Sequence, residues 1–101
     1  MKKGRSYQRT LIESLKNQRE ATAYLNAAME EGDPALFLLA LRNVTEAKGG
    51  VAKISGRSKL NRENLYRILS KRGNPELQSL EAILEALGFR LAVEVRLKKA
   101  A

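Results

Sequence analysis

The sequence predicts an all-α domain of five or six helices, built around a helix-turn-helix and finished by a single C-terminal β-strand. Three observations carry this reading. Apolar residues recur at helical spacing through most of the chain. Gly32-Asp33-Pro34, Gly49-Gly50, Gly73-Asn74-Pro75 and Gly88 cut it into helix-length pieces. After Gly88 the apolar period changes from that of a helix to strict alternation.

The elements follow in order. Met1 to Arg5 read as a basic, disordered tail, and residues 6–16 as a short helix with Tyr7, Leu11, Ile12 and Leu15 on one side. Together, residues 1–16 form an N-terminal attachment to a main domain of residues 17–101. Asn17 has the character of an N-cap, and Glu20 stands three residues on, completing a capping box. The helix it opens carries Ala21, Tyr24, Leu25, Ala28 and Met29, the spacing of one buried stripe. The pattern leaves open whether residues 6–31 form one kinked helix or two. It also leaves the stripe two uses, as core or as a surface for another protein, with core favoured.

Asp33 can cap the next helix, and Pro34 suits its first turn. Residues 34–48 then carry Leu36, Phe37, Leu38, Leu39, Ala40, Leu41, Val44 and Ala47, apolar nearly all the way round. A surface helix shows one stripe only, so this helix is expected at the centre. Residues 51–69 read as the helix-turn-helix. Ile54 and Ser55 face inward on its first helix, Lys59-Leu60 make the turn, and Leu65, Ile68 and Leu69 are buried by the second helix. A last helix, 76–87, turns Leu77, Leu80, Ile83, Leu84 and Leu87 inward. In the strand, Phe89, Leu91, Val93, Val95 and Leu97 alternate with Arg90, Ala92, Glu94 and Arg96. A lone strand cannot satisfy its own ladder, so it is expected to pair with the same strand of a twofold mate, or else with a partner protein.

Charge marks the part that works. Of the chain's net +8, a net +7 lies in residues 48–72, which hold eight cations (Lys48, Lys53, Arg57, Lys59, Arg62, Arg67, Lys71, Arg72) and one anion, Glu63. Cationic charge concentrated on one motif is an electrostatic footprint for phosphate. The second helix presents Asn61, Arg62, Glu63, Asn64 and Arg67 as candidates for reading bases in a DNA major groove. Arginine can chelate guanine, asparagine can read adenine, and glutamate can accept from cytosine. Lys53, Lys59, Tyr66, Lys71 and Arg72 are candidates for phosphate contact, with Lys48 and Arg57 beside them. The competing reading is a solvated helix face, which the concentration of charge disfavours.

Other function classes fare worse. Histidine and cysteine are both absent, which removes disulfides, thiol nucleophiles, imidazole acid–base chemistry and the common zinc patterns. No cofactor is expected. Glu30, Glu31 and Asp33 cluster, but at a helix end and a cap, where solvated carboxylates are common. No apolar run approaches the ~20 residues that cross a bilayer. The glycines lack a phosphate-cradle pattern. A non-enzymatic, cytoplasmic protein with no membrane contact is the expectation.

The chain also resembles a known family. The tracts AYLNAAMEEGDPALFLLALRNVTEAKGG (residues 23–50) and RENLYRILSKRGNPELQSLEAILEALGFRLAV (residues 62–93) are similar to the antidote (antitoxin) proteins of prokaryotic type II addiction modules that carry a lambda-repressor-like, Xre-type helix-turn-helix. The resemblance spans about four-fifths of the chain. It implies a dimer that neutralises a cognate toxin, commonly a small ribonuclease-like protein, and represses its own operon at a palindromic operator. A stand-alone prophage-type transcriptional regulator is the alternative. The family pattern usually has Ala where this chain has Ser55, and Gly where it has Lys59. Ser55 is small enough for close helix approach if its hydroxyl bonds back to the helix. Lys59 in a left-handed turn costs roughly 1 kcal/mol, and it lies where phosphate would be.

Overall fold

A computed structural model describes residues 2–97. These fold into six α-helices: α1 (Lys2–Ser14), α2 (Gln18–Glu30), α3 (Pro34–Ala47), α4 (Gly50–Ser58), α5 (Arg62–Ile68) and α6 (Leu77–Ala86). Among the described residues there is no β-strand.

The N-terminal region forms two helices, not one. Helix α1 starts at Lys2, so most of the expected tail is helical; Met1 lies outside the described residues. The lysines and arginine there are good helix formers, and only Gly4 opposes them. The chain breaks after the buried Leu15, where the amides of Lys16 and Asn17 donate to the carbonyls of Glu13 and Ser14. Asn17 then caps α2: its Oδ1 accepts from the amides of Arg19 (2.9 Å) and Glu20 (3.1 Å). The return half of the capping box is not made, because the Asn17 amide is already bonded to Ser14.

Helix α3 is central, packed against α1, α2 and α4. Asp33 Oδ1 accepts from the Ala35 amide at 3.0 Å and starts it. Leu38, Ala40, Leu41, Val44 and Ala47 are buried, whereas Leu36 and Leu39 are 38% and 40% exposed. Between the apolar residues sits Asn43, buried and fully engaged. Its Oδ1 accepts from Gln8 Nε2 (3.1 Å), and its Nδ2 donates to the Tyr24 hydroxyl (2.9 Å). One polar side chain thus links the first three helices. A buried amide with both ends bonded specifies packing, whereas one left unbonded would cost about 1–3 kcal/mol.

Ile54 of α4, Leu65 and Ile68 of α5, the adjoining Leu69, and Ile83, Leu84 and Leu87 on and after α6 complete the core. Two expected inward residues face out. Leu77 is 66% exposed because it opens α6, ahead of the turns that pack on α4, and Met29, at the end of α2, is half exposed. The end of α6 is a Schellman motif. The Gly88 amide donates to Glu85 O (3.0 Å) and the Phe89 amide to Leu84 O (2.8 Å), with Gly88 at φ +92. Gln18 Nε2 donates to Leu87 O at 3.2 Å, and a Cβ on Gly88 would meet that nitrogen at 2.7 Å. The turn needs glycine for its backbone, and any side chain there would also displace the Gln18 amide.

The motif sets the direction of residues 89–97. Phe89 packs on the core, and residues 91–97 are exposed. The strand expected here is absent from the single chain. A strand is defined by ladder bonds to a neighbour, and no other segment among the described residues supplies one. No described helix is long and apolar enough to cross a membrane.

Candidate nucleic-acid interface

Helices α4 and α5 are separate and joined by a three-residue turn, Lys59-Leu60-Asn61. Two serines of α4 hold it. Ser55 Oγ donates to the Leu60 carbonyl at 2.6 Å, and Ser58 Oγ accepts from the Leu60 amide at 3.3 Å. Both backbone groups of the half-buried turn residue are thereby satisfied by side chains. Ser55 was expected to matter for its size and to bond back into its own helix. It is half-buried and bonds across the turn, while Ser58 is the serine that is buried.

Lys59 ends α4 in the left-handed conformation, φ 65, the one non-glycine residue at positive φ among those described. Changing Lys59 to Gly relieves about 1–2 kcal/mol of left-handed strain and costs about 0.5–1 kcal/mol of chain entropy. The expected outcome is a gain of up to about 1 kcal/mol in urea unfolding, with one cation lost from the face. A loss of stability would show that the Lys59 stem contributes packing that outweighs its strain.

Asn61 caps α5, its Oδ1 accepting from the Asn64 amide at 2.7 Å. Leu65, Ile68 and Leu69 turn inward, which leaves Arg62, Glu63, Tyr66 and Arg67 exposed; Tyr66 is 64% exposed. Arg67 Nη2 donates to Asn64 Oδ1 at 2.9 Å, one turn apart on the same face. The far end of α5 is fixed from α3, where Arg42 Nη1 donates to Leu69 O at 2.7 Å. A guanidinium there also opposes the partial negative charge of the helix end. Arg42 lies outside the basic run, and its sequence position gave no sign of this role. At Gly73 the chain passes so close to the Ile68 carbonyl oxygen that a Cβ would overlap it.

Lys53, Arg57, Lys59, Lys71 and Arg72 are all exposed, as are Arg62 and Arg67, and all seven lie on or next to α4 and α5 along the chain. Lys48 is not among them. It is half-buried, and its Nζ donates to the Lys16 carbonyl at 3.0 Å, joining the end of α3 to the turn after α1. The one ion pair among the described residues is Lys16–Glu13, so Glu63 forms none with these cations. No described group of acidic side chains is disposed to hold a metal ion. The arrangement can bind an extended polyanion through unpaired cations carried on a short helix fixed at both ends.

Comparison with known proteins adds an independent line. A family described as "Probable addiction module antidote protein" matches residues 7–95. An uncharacterized protein of Haemophilus influenzae is 30% identical over 84 residues, which is 83% of this chain and 86% of the relative. No solved structure matches the chain significantly. Antidote families of this kind are in general non-enzymatic, and the protein is not an enzyme. On a match that runs from within α1 to beyond the end of α6, this chain belongs to the family of probable addiction module antidote proteins.

Proposed function

We propose that this antidote is a dimeric DNA-binding antitoxin with a lambda-repressor-like, Xre-type helix-turn-helix. It neutralises a small ribonuclease-like toxin and represses its own operon. The DNA-binding unit is residues 17–101, with α1 as its N-terminal attachment. Helix α5 enters the major groove, where Asn61, Arg62, Glu63, Asn64 and Arg67 face the bases. Lys53, Arg57, Lys59, Tyr66, Lys71 and Arg72 hold the phosphates. Two subunits, joined through Phe89, Leu91, Val93, Val95 and Leu97, address half-sites ~34 Å apart or a multiple of that.

The observation that supports this most is the set of exposed cations, free of ion pairs among the described residues, on α4, the turn, α5 and the two positions Lys71 and Arg72, which together with Glu63 carry +6 of the chain's net +8. On this reading the Arg67–Asn64 bond supports a division of the base-reading roles. Asn64 has its oxygen committed to Arg67, so Arg67 is the guanine reader and Asn64 holds its guanidinium in place.

A gel shift with the chain's own upstream region tests the reading. Binding to that DNA, and not to a scrambled duplex of equal length, is expected. Arg67→Ala should weaken specific binding by about 1–3 kcal/mol and leave random-sequence binding nearly unchanged. Equal losses on both duplexes would reduce Arg67 to a phosphate contact. No shift at low salt would end the DNA-binding reading altogether.

A further inference from the structure

The segment after Gly88 is the largest feature that the single chain leaves without a partner. Val93 is fully exposed, Val95 and Leu97 nearly so, and the backbone from residue 90 to residue 97 makes no hydrogen bond within the described chain. Arg90, Glu94 and Arg96 are exposed and take part in no ion pair among the described residues. Beside the segment runs a groove of mixed polar and apolar lining, whose apolar helix residues are Leu25, Met29, Phe37 and Leu84 and whose other wall is residues 89–92 and Glu94 of the segment itself.

We infer that residues 89–97 of two copies pair as an antiparallel ladder whose twofold axis passes through Ala92. This rests on the dimer proposed above and adds its register. In an antiparallel pair, directly opposite residues share a face. Only registers that keep apolar residues opposite apolar residues preserve the alternation, so the axis must pass through a residue. An axis at Val93 sets Arg90 against Arg96, and one at Glu94 sets the two glutamates against each other. An axis at Leu91 leaves the charges facing Ala92 and Gly88. An axis at Ala92 places Arg90 opposite the mate's Glu94, and by symmetry does so twice.

The same register settles the apolar side. It puts the mate's Val95 opposite Phe89 and the mate's Val93 opposite Leu91. Phe89 packs on the core and Leu91 borders the groove. The most exposed valines of one copy therefore come to lie against the groove of the other. An axis at Val95 also pairs opposite charges, Glu94 with Arg96, but it carries Val93 away from the groove and leaves it open.

Charge exchange on the full chain tests this by sedimentation equilibrium, with circular dichroism confirming the helices. Arg90→Glu and Glu94→Arg should each raise the dimer dissociation constant by roughly tenfold to a hundredfold, since each converts two attractive pairs into repulsive ones. The double variant R90E/E94R should return to within about threefold of the parent. Arg96→Glu should leave the dimer essentially unchanged, because Arg96 faces Gly88 in this register. A dimer weakened by Arg96→Glu, or indifferent to Arg90→Glu, overturns the register while the dimer stands. A double variant as weak as the singles does the same. A parent chain that stays monomeric at every concentration overturns the dimer reading and the register with it.

Discussion

Raising the salt from about 50 to about 200 mM is expected to weaken operator binding by roughly four orders of magnitude. The estimate follows from the cationic face. Seven of its side chains, Lys53, Arg57, Lys59, Arg62, Arg67, Lys71 and Arg72, are exposed and none is in an ion pair among the described residues. If about four per subunit reach phosphate, a dimer neutralises about eight, and log K falls against log salt with a slope near −7. A monomer with the same contacts gives about half that slope. The titration, read by fluorescence anisotropy on a labelled duplex, thus measures contact and stoichiometry together. A slope near zero would mean that the face does not bind DNA at all.

Leu65→Ala is expected to cost about 2–5 kcal/mol of stability. Against a total of about 5–15 kcal/mol for a domain this is a large share. Leu65 is fully buried, and α5 has seven residues, far too few to be helical alone. The helix persists because Leu65, Ile68 and Leu69 insert into the core and because Arg42 bonds its last carbonyl turn. Urea unfolding followed by far-ultraviolet circular dichroism, at fixed protein concentration, measures the loss. DNA affinity should fall in the same variant although Leu65 faces away from solvent, because the presenting helix loosens. A cost below about 1 kcal/mol would show that α5 is anchored by other means.

Much of this was legible in the sequence because the signals were local. Asn17 and Asp33 cap the helices they were expected to cap, and the central α3 follows from an apolar pattern too broad for a surface helix. The break between α4 and α5, and the outward set Arg62, Glu63, Tyr66 and Arg67, follow from the spacing of Ile54, Leu65 and Ile68. What was missed depends on residues distant along the chain. Lys48 was assigned with the phosphate contacts by charge, yet it bonds a carbonyl thirty-two positions away. Nothing near Asn43 and Arg42 in the sequence announces Gln8, Tyr24 or Leu69. Ser55 was noted for its size, and its bond to Leu60 needed the turn's geometry to be seen.

By itself the sequence determined where the helices start and stop, which faces are apolar and where the positive charge collects. Caps, periodicity and net charge act over a turn or two of chain, so a linear reading captures them. Only the tertiary structure decided which cations are in no ion pair, how Ser55 and Ser58 close the turn, and that residues 89–97 find no ladder among the described residues. Those outcomes turn on which groups meet when helices pack, and a hydrogen bond a few ångströms long is insensitive to how many residues separate its ends.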